Sequence, residues 1–140
     1  MDRQRIIEEL AAFPYDRGEY WVLMGGAMAL YGIRGETADI DLGCTAELAD
    51  RLEADGLLYR LRDNGKRWFR FGSCIEIFEG WLCGGTVTLD GLRVVTPEGL
   101  VEMKMELGRE KDLRDIELIE RYMRDGGGLR QTSLQGGPRA

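Results

Sequence analysis

The sequence contains no histidine among its 140 residues. Ser-His-Asp and Cys-His nucleophilic catalysis are therefore excluded, as are histidine-ligated zinc centres. General acid–base chemistry must fall to carboxylates, lysine, tyrosine or cysteine. The three cysteines, Cys44, Cys74 and Cys83, are odd in number and form no CxxC pair. A disulfide framework or zinc ribbon is not expected on that pattern, whereas free thiols in a reducing cytoplasm are. No apolar run approaches the ~18 residues of a membrane helix. The opening MDRQRIIEEL mixes both charge signs and lacks an apolar signal core, so secretion is not expected. Basic charge is also scarce: 19 Lys and Arg stand against 25 Asp and Glu, a net −6. That balance argues against a general nucleic-acid coat. It leaves room for a nucleotide substrate, because a bound cation can supply the missing positive charge.

What remains is 44% hydrophobic and 31% charged, the composition of a globular chain. Its length suits one domain, expected over residues 1–125. Apolar spacing predicts a helix from Asp2 to about Phe13, ended by Pro14. The run Tyr20–Met24 reads as a buried strand, followed by Gly25-Gly26 and a short helix closed by Gly32. In ADIDLG, carboxylates alternate with Ile40 and Leu42, which is strand periodicity. Thr45 caps a helix to about Asp55. Asn64-Gly65 and Asp90-Gly91 are each flanked by a pair of stretches (57–62 with 66–71, and 86–89 with 92–95) and signal hairpins. Residues 73–78 read as a further strand. A helix starts at Pro97, capped by Thr96, and runs to about Leu107; a last one spans about 110–124. The segment 126–140 is glycine-rich and expected to be flexible. The order implies an α/β (α+β) fold, a small mixed β-sheet flanked by helices.

The informative stretch is VLMGGAMALYGIRGETADIDLG. On a strand, Asp39 and Asp41 would share one face. Two adjacent carboxylates on a half-buried strand repel and resist desolvation, so a cation between them is the natural partner. Mg²⁺ suits such hard oxygen donors and keeps positions open for substrate phosphates. Two solvated acids at a strand edge would give the same pattern. Gly25-Gly26, thirteen residues before Asp39, sits at a strand-to-helix junction. Glycines there admit a phosphate to the backbone, and the helix start favours an anion. Glu76 lies between Ile75 and Ile77, a third carboxylate within an apolar strand. It converges on the other two if the strands are neighbours, and otherwise faces solvent.

The succession apolar-Gly-Gly, apolar-Asp-apolar-Asp-apolar and apolar-Glu-apolar resembles the DNA polymerase β-like nucleotidyltransferase superfamily. The extended form GGxAxxxxGxRxxTxDID is similar to its small bacterial members, the abortive-infection toxin type and the antibiotic nucleotidyltransferases. LVEMKMELGREKDLRDIELI resembles a late motif of the abortive-infection group. The resemblance covers about Trp21 to Leu118. It implies a nucleoside triphosphate held at Gly25 and Gly26, with Arg34 and Thr37 contributing. It implies Mg²⁺, as two ions, on Asp39, Asp41 and Glu76, where two metals stabilise the attacking and leaving oxygens of an in-line displacement. Lys104 would reach a phosphate, and Asp112 would act as a base or orient Lys104 or Arg109. Asp115 reads as part of a solvated helix face. The implied reaction moves a nucleoside monophosphate onto a hydroxyl of RNA (including a tRNA end), of a protein or of a small molecule, and a toxin–antitoxin setting is one implied context. Many relatives carry a further helical domain for the acceptor, so a homodimer or partner protein is expected to complete that site.

The alternative is a non-catalytic nucleotide- or partner-binding module of the same fold. The hairpin holding Arg60, Arg62, Lys66, Arg67 and Arg70, with Tyr59, Trp68 and Phe69 interleaved, has the pattern that tracks a phosphate backbone. It is equally the pattern of an exposed ribbon with solubilising charges.

Overall fold

A computed structural model describes residues 1–126. Apart from Gly126, the glycine-rich segment expected to be flexible lies outside the described residues. The chain begins with α1 (Arg3–Ala11), capped by the Asp2 carboxylate, which accepts from the Arg5 amide at 2.9 Å. A short 3₁₀ turn (Arg17–Glu19) leads into β1 (Tyr20–Leu23) and directly into α2 (Met24–Tyr31). There follow β2 (Ile40–Cys44), α3 (Ala46–Ala54), β3 (Tyr59–Leu61), β4 (Arg67–Phe71), β5 (Ile75–Glu79), β6 (Thr86–Leu89), β7 (Leu92–Val95), α4 (Pro97–Leu107) and α5 (Glu110–Arg124).

The strands form one seven-stranded sheet in the order β3-β4-β5-β2-β1-β7-β6. β2 runs parallel to β5 and β1 parallel to β7, and the other pairs are antiparallel. Register sets the faces. Val22, Leu42, Ile77 and Phe69 form one row across β1, β2, β5 and β4, and each is fully buried. Phe13 packs edge-on against Tyr20 and Phe71, so the segment after α1 covers this face. Burying four such side chains contributes roughly 6–12 kcal/mol of transfer free energy.

Local chemistry sets the junctions. Thr45 and Thr96 cap α3 and α4, each accepting an amide at 3.1 Å. The second hairpin turn places Asp90 and Gly91 both at positive φ, 52° and 77°, as a type I′ turn requires. β3 is shorter than the 57–62 stretch mainly at its start, where the Leu57 amide is held back to the end of α3 by donating to the Leu52 carbonyl at 3.1 Å. α2 starts earlier than expected. No loop separates it from β1: Met24 takes φ 52°, left-handed for a residue with a side chain, and Gly25-Gly26 fall inside the first helical turn.

Candidate active site

The opposite face of the sheet carries the acids. In register, Leu23 of β1, Asp41 of β2, Glu76 of β5 and Arg70 of β4 form one row. Asp41 and Glu76 are thus neighbours on adjacent parallel strands, the convergence that the sequence left open. Asp41 is half-buried and makes no ion pair or side-chain hydrogen bond with the described residues. Burial, then the charges of Glu76 and Asp39, push its carboxyl up to about 6, against a weaker pull from Lys104 and Lys111.

Asp39 differs from the expectation. β2 begins at Ile40, so Asp39 sits exposed in the bend before the strand rather than on its face. The Thr37 hydroxyl shapes that bend by donating to the Asp39 carbonyl at 3.1 Å. Glu76 is already engaged: its carboxylate accepts from the Trp68 indole N–H at 3.1 Å and pairs with Arg70 at 2.6 Å. As the side chains stand, the described residues include no group of three or more Asp, Glu, His or Cys disposed to hold a metal. The donor chemistry nevertheless fits a hard divalent cation. All three groups are carboxylates, and Asp41 is an unpaired, partly desolvated one that its acidic neighbours hinder from ionising.

The glycine turn lies next to this row through the Arg34–Thr37 loop. A Cβ on Gly25 would collide with the Thr37 hydroxyl and stand 3.2 Å from an Arg34 nitrogen. Arg34 and Thr37 therefore cover the first turn of α2, and only glycine admits them so closely. The Met1 ammonium ties the same loop down by donating to the Thr37 carbonyl at 2.6 Å.

A buried charge network backs the site. Lys104 of α4 is 3% exposed, donates to Asp115 of α5 at 3.0 Å and stands 3.6 Å from Asp112. Arg34 also donates to Asp115. Burial opposes ionisation of Asp115, but its bonds to Lys104 and Arg34 outweigh that and hold its carboxyl below the usual range. Asp112 is fully buried and caps α5, accepting from the Arg109 amide at 3.1 Å and its guanidinium at 2.6 and 3.1 Å. Those bonds, which outweigh its burial, lower the Asp112 carboxyl. Asp115 is thus no solvated face residue; it anchors Arg34 and Lys104 together. The signal was in the spacing. Asp112, Asp115 and Ile119 recur at the i, i+3, i+7 positions of a buried helical stripe, and acids there require cations.

No protein-family model matches the chain, and no curated protein is significantly similar to it in sequence. Among solved structures, ANT(2″)-Ia in complex with adenylyl-2″-tobramycin is similar, with a TM-score of 0.60 and 16% identity over 89% of this chain and 92% of that one. A Thermotoga maritima protein, provisionally assigned as a nucleotidyltransferase, gives 0.57 and 17% over 89% of this chain and 96% of its own. At these identities the likeness shows the fold. The chain has a nucleotidyltransferase-like fold, helices around a mixed sheet, as its motifs implied. No described helix is long and apolar enough to cross a membrane.

Proposed function

We propose that the chain is an Mg²⁺-dependent nucleotidyltransferase that moves a nucleoside monophosphate from a nucleoside triphosphate to an acceptor hydroxyl. The observation that carries this reading is the Asp41–Glu76 pair, a half-buried carboxylate with no cation beside a second acid in register. Asp39, Asp41 and Glu76 would hold the divalent ions. When bound, these supply charge neutralisation at the triphosphate and at the attacking oxygen. Gly25 and Gly26 present amides at the start of α2, and Arg34 and Thr37 close over them, so the triphosphate is received there. Asp115 fixes Arg34, and it fixes Lys104, whose charge acts on Asp41. Asp112 is committed to Arg109 and Lys104, which suits positioning better than the base role the resemblance implied.

The acceptor oxygen forms a bond to the α-phosphorus as the bond to the β-phosphate bridging oxygen breaks. Pyrophosphate leaves with the electron pair, and the hydroxyl proton passes to a carboxylate of the row or to water. The test is thermal unfolding with each of the four common ribonucleoside triphosphates, with and without Mg²⁺. Ligand at a hundred times its Kd stabilises by roughly 2.7 kcal/mol, a shift of several degrees in a domain of this size. An Mg²⁺-dependent shift that disappears in Asp39→Asn/Asp41→Asn is the expected result. No shift with any triphosphate would remove the reading.

One observation favours a second reading, a binding module without turnover: Arg70 already occupies Glu76. A nucleotide shift that needs no Mg²⁺ and survives Asp41→Asn would point to it.

A further inference from the structure

The row next to the acids on the same sheet face is aromatic. Two residues along each strand from Asp41, Glu76 and Arg70 stand Gly43, Phe78 and Trp68, paired across β2, β5 and β4, with Arg60 of β3 beyond. At 3.3–3.4 Å per residue the two rows are about 7 Å apart. Trp68 and Phe78 lie nearly parallel, 11° apart with centroids at 5.7 Å, and Phe78 meets Trp81 edge-on at 5.1 Å. The Arg62 guanidinium sits 4.9 Å from the Trp81 ring centre and 5.5 Å from that of Phe78. Trp21 fills the space left by Gly43, where a Cβ would collide with its indole nitrogen, and donates to the Trp81 carbonyl at 2.9 Å. Trp21, the neighbour of Gly43 in the same row, therefore ties down the Trp81 end of the ring cluster. Trp68 is 36% exposed, and its own N–H joins the two rows by bonding Glu76.

The charges on this hairpin divide into two sets. Arg67 is consumed on the other side of the sheet by Glu79, Glu53 and Asp50, and Arg70 by Glu76. Arg60, Arg62 and Lys66 form no ion pair with the described residues. Phe69 is fully buried in the core, and Tyr59, its register partner, shares that face, so neither belongs to the ledge. What remains is a local ring-and-cation surface on a chain of net charge −6, beside the proposed reaction centre. Stacked rings alternating with unpaired cations match a polymer of flat bases and phosphates. A polycationic small acceptor would meet like charge here.

We infer that the ledge of Trp68, Phe78, Trp81, Arg62, Arg60 and Lys66 holds a single-stranded nucleic acid as the acceptor and brings its terminal hydroxyl to the Asp41–Glu76 row. This inference rests on the transferase reading. Bases stack against Trp68 and the Arg62–Trp81 pair, and phosphates meet Arg60, Arg62 and Lys66. The terminal hydroxyl oxygen then bonds the α-phosphorus, pyrophosphate departs, and the strand grows by one nucleotide.

The test is fluorescence anisotropy of a labelled single-stranded RNA of about 12 nucleotides, within the span such sites cover, and of the same sequence as a duplex. The full chain is titrated across a salt series. Binding of the single strand in preference to the duplex is expected. Three phosphate contacts give a log–log salt slope of about −2. Arg60→Ser/Lys66→Ser, at exposed positions that leave the core untouched, should bring that slope to about −0.7. Trp68→Leu should weaken binding roughly 5- to 150-fold, the effect of losing one stacked base. Equal binding of duplex and single strand, no binding, or variants that bind like the wild type would each overturn the inference. The wild-type Mg²⁺–triphosphate thermal shift, measured in parallel, separates the two ideas. A nucleotide shift without RNA binding removes the ledge and leaves the transferase; RNA binding without a nucleotide shift removes the transferase and the acceptor role with it, leaving the ledge as a binding surface only.

Discussion

Replacing Asp41 by Asn should stabilise the metal-free protein. The Asp41 carboxyl ionises at about 6 in the fold against an ordinary 3.8, a gap of about 2.2 units. At 1.36 kcal/mol per unit, ionised Asp41 opposes folding by about 3 kcal/mol. The folded-state value is raised, so the carboxyl's favourable contribution is present below pH 3.8 and is lost as the pH climbs through 6. Asn keeps the shape and carries no charge. The variant's advantage should therefore be near zero at pH 4, grow through pH 6 and be complete by pH 8. For a chain of this size 3 kcal/mol corresponds to a rise of roughly 8–12 °C in Tm. The assay is thermal unfolding of both proteins in chelator at pH 4.5 and pH 8. An Asn variant no more stable at pH 8 than the wild type, or one whose advantage is the same at both pH values, would refute the electrostatic reasoning. Saturating Mg²⁺ should then narrow the gap from the wild-type side, because a cation relieves the repulsion that Asn removes.

Three further outcomes are expected. Gly25→Ala drives a methyl into the Thr37 hydroxyl and Arg34, and should cost about 1–3 kcal/mol in urea unfolding while weakening triphosphate binding. Asp115→Ala strips Lys104 of its 3.0 Å partner in a buried setting. Lys104 keeps Asp112 at 3.6 Å, so the cost should lie at or below the low end of the roughly 3–5 kcal/mol of a broken buried pair, and Lys104→Met/Asp115→Leu should recover most of it if the under-compensated ammonium is the cause. Arg70→Ala frees Glu76; Arg70 is 53% exposed, so little stability should be lost, but calorimetric Mg²⁺ affinity should rise if Glu76 is a ligand.

The features legible in the sequence are those whose chemistry is local. Asp90-Gly91 specifies its hairpin because both residues take the left-handed backbone, and Asn64-Gly65 because Gly65 does so while the Asn64 carboxamide accepts from the Lys66 amide. Thr45 and Thr96 mark helix starts by their own capping bonds. Gly25-Gly26 and the alternation around Asp41 and Glu76 identified the strands that meet at the acid row. Whether the two strands are neighbours depends on the crossover from β2 to β5, a long-range pairing that alternation alone does not determine. Asp39 lies one residue outside the strand that the alternation predicts, because a strand's first residue depends on where its ladder begins, here at Ile40. The role of Asp115 is hidden by composition, because a helix so rich in charge reads as solvated, although its acids fall on the stripe that ends in Ile119. The basic hairpin could not be resolved in sequence either. Only register separates Arg67, on the buried face, from Arg60 and Arg62 on the side of the acids.

The acid row and the glycine turn should form one metal–triphosphate site. Binding of Mn²⁺, as a paramagnetic stand-in for Mg²⁺, tests it most directly when followed by water-proton relaxation with and without a non-hydrolysable triphosphate. The wild type should bind Mn²⁺ more tightly when the triphosphate is present, and Asp39→Asn/Asp41→Asn should lose both the binding and the enhancement. Identical Mn²⁺ binding by the wild type and the double variant, or no enhancement by any triphosphate, would contradict the claim.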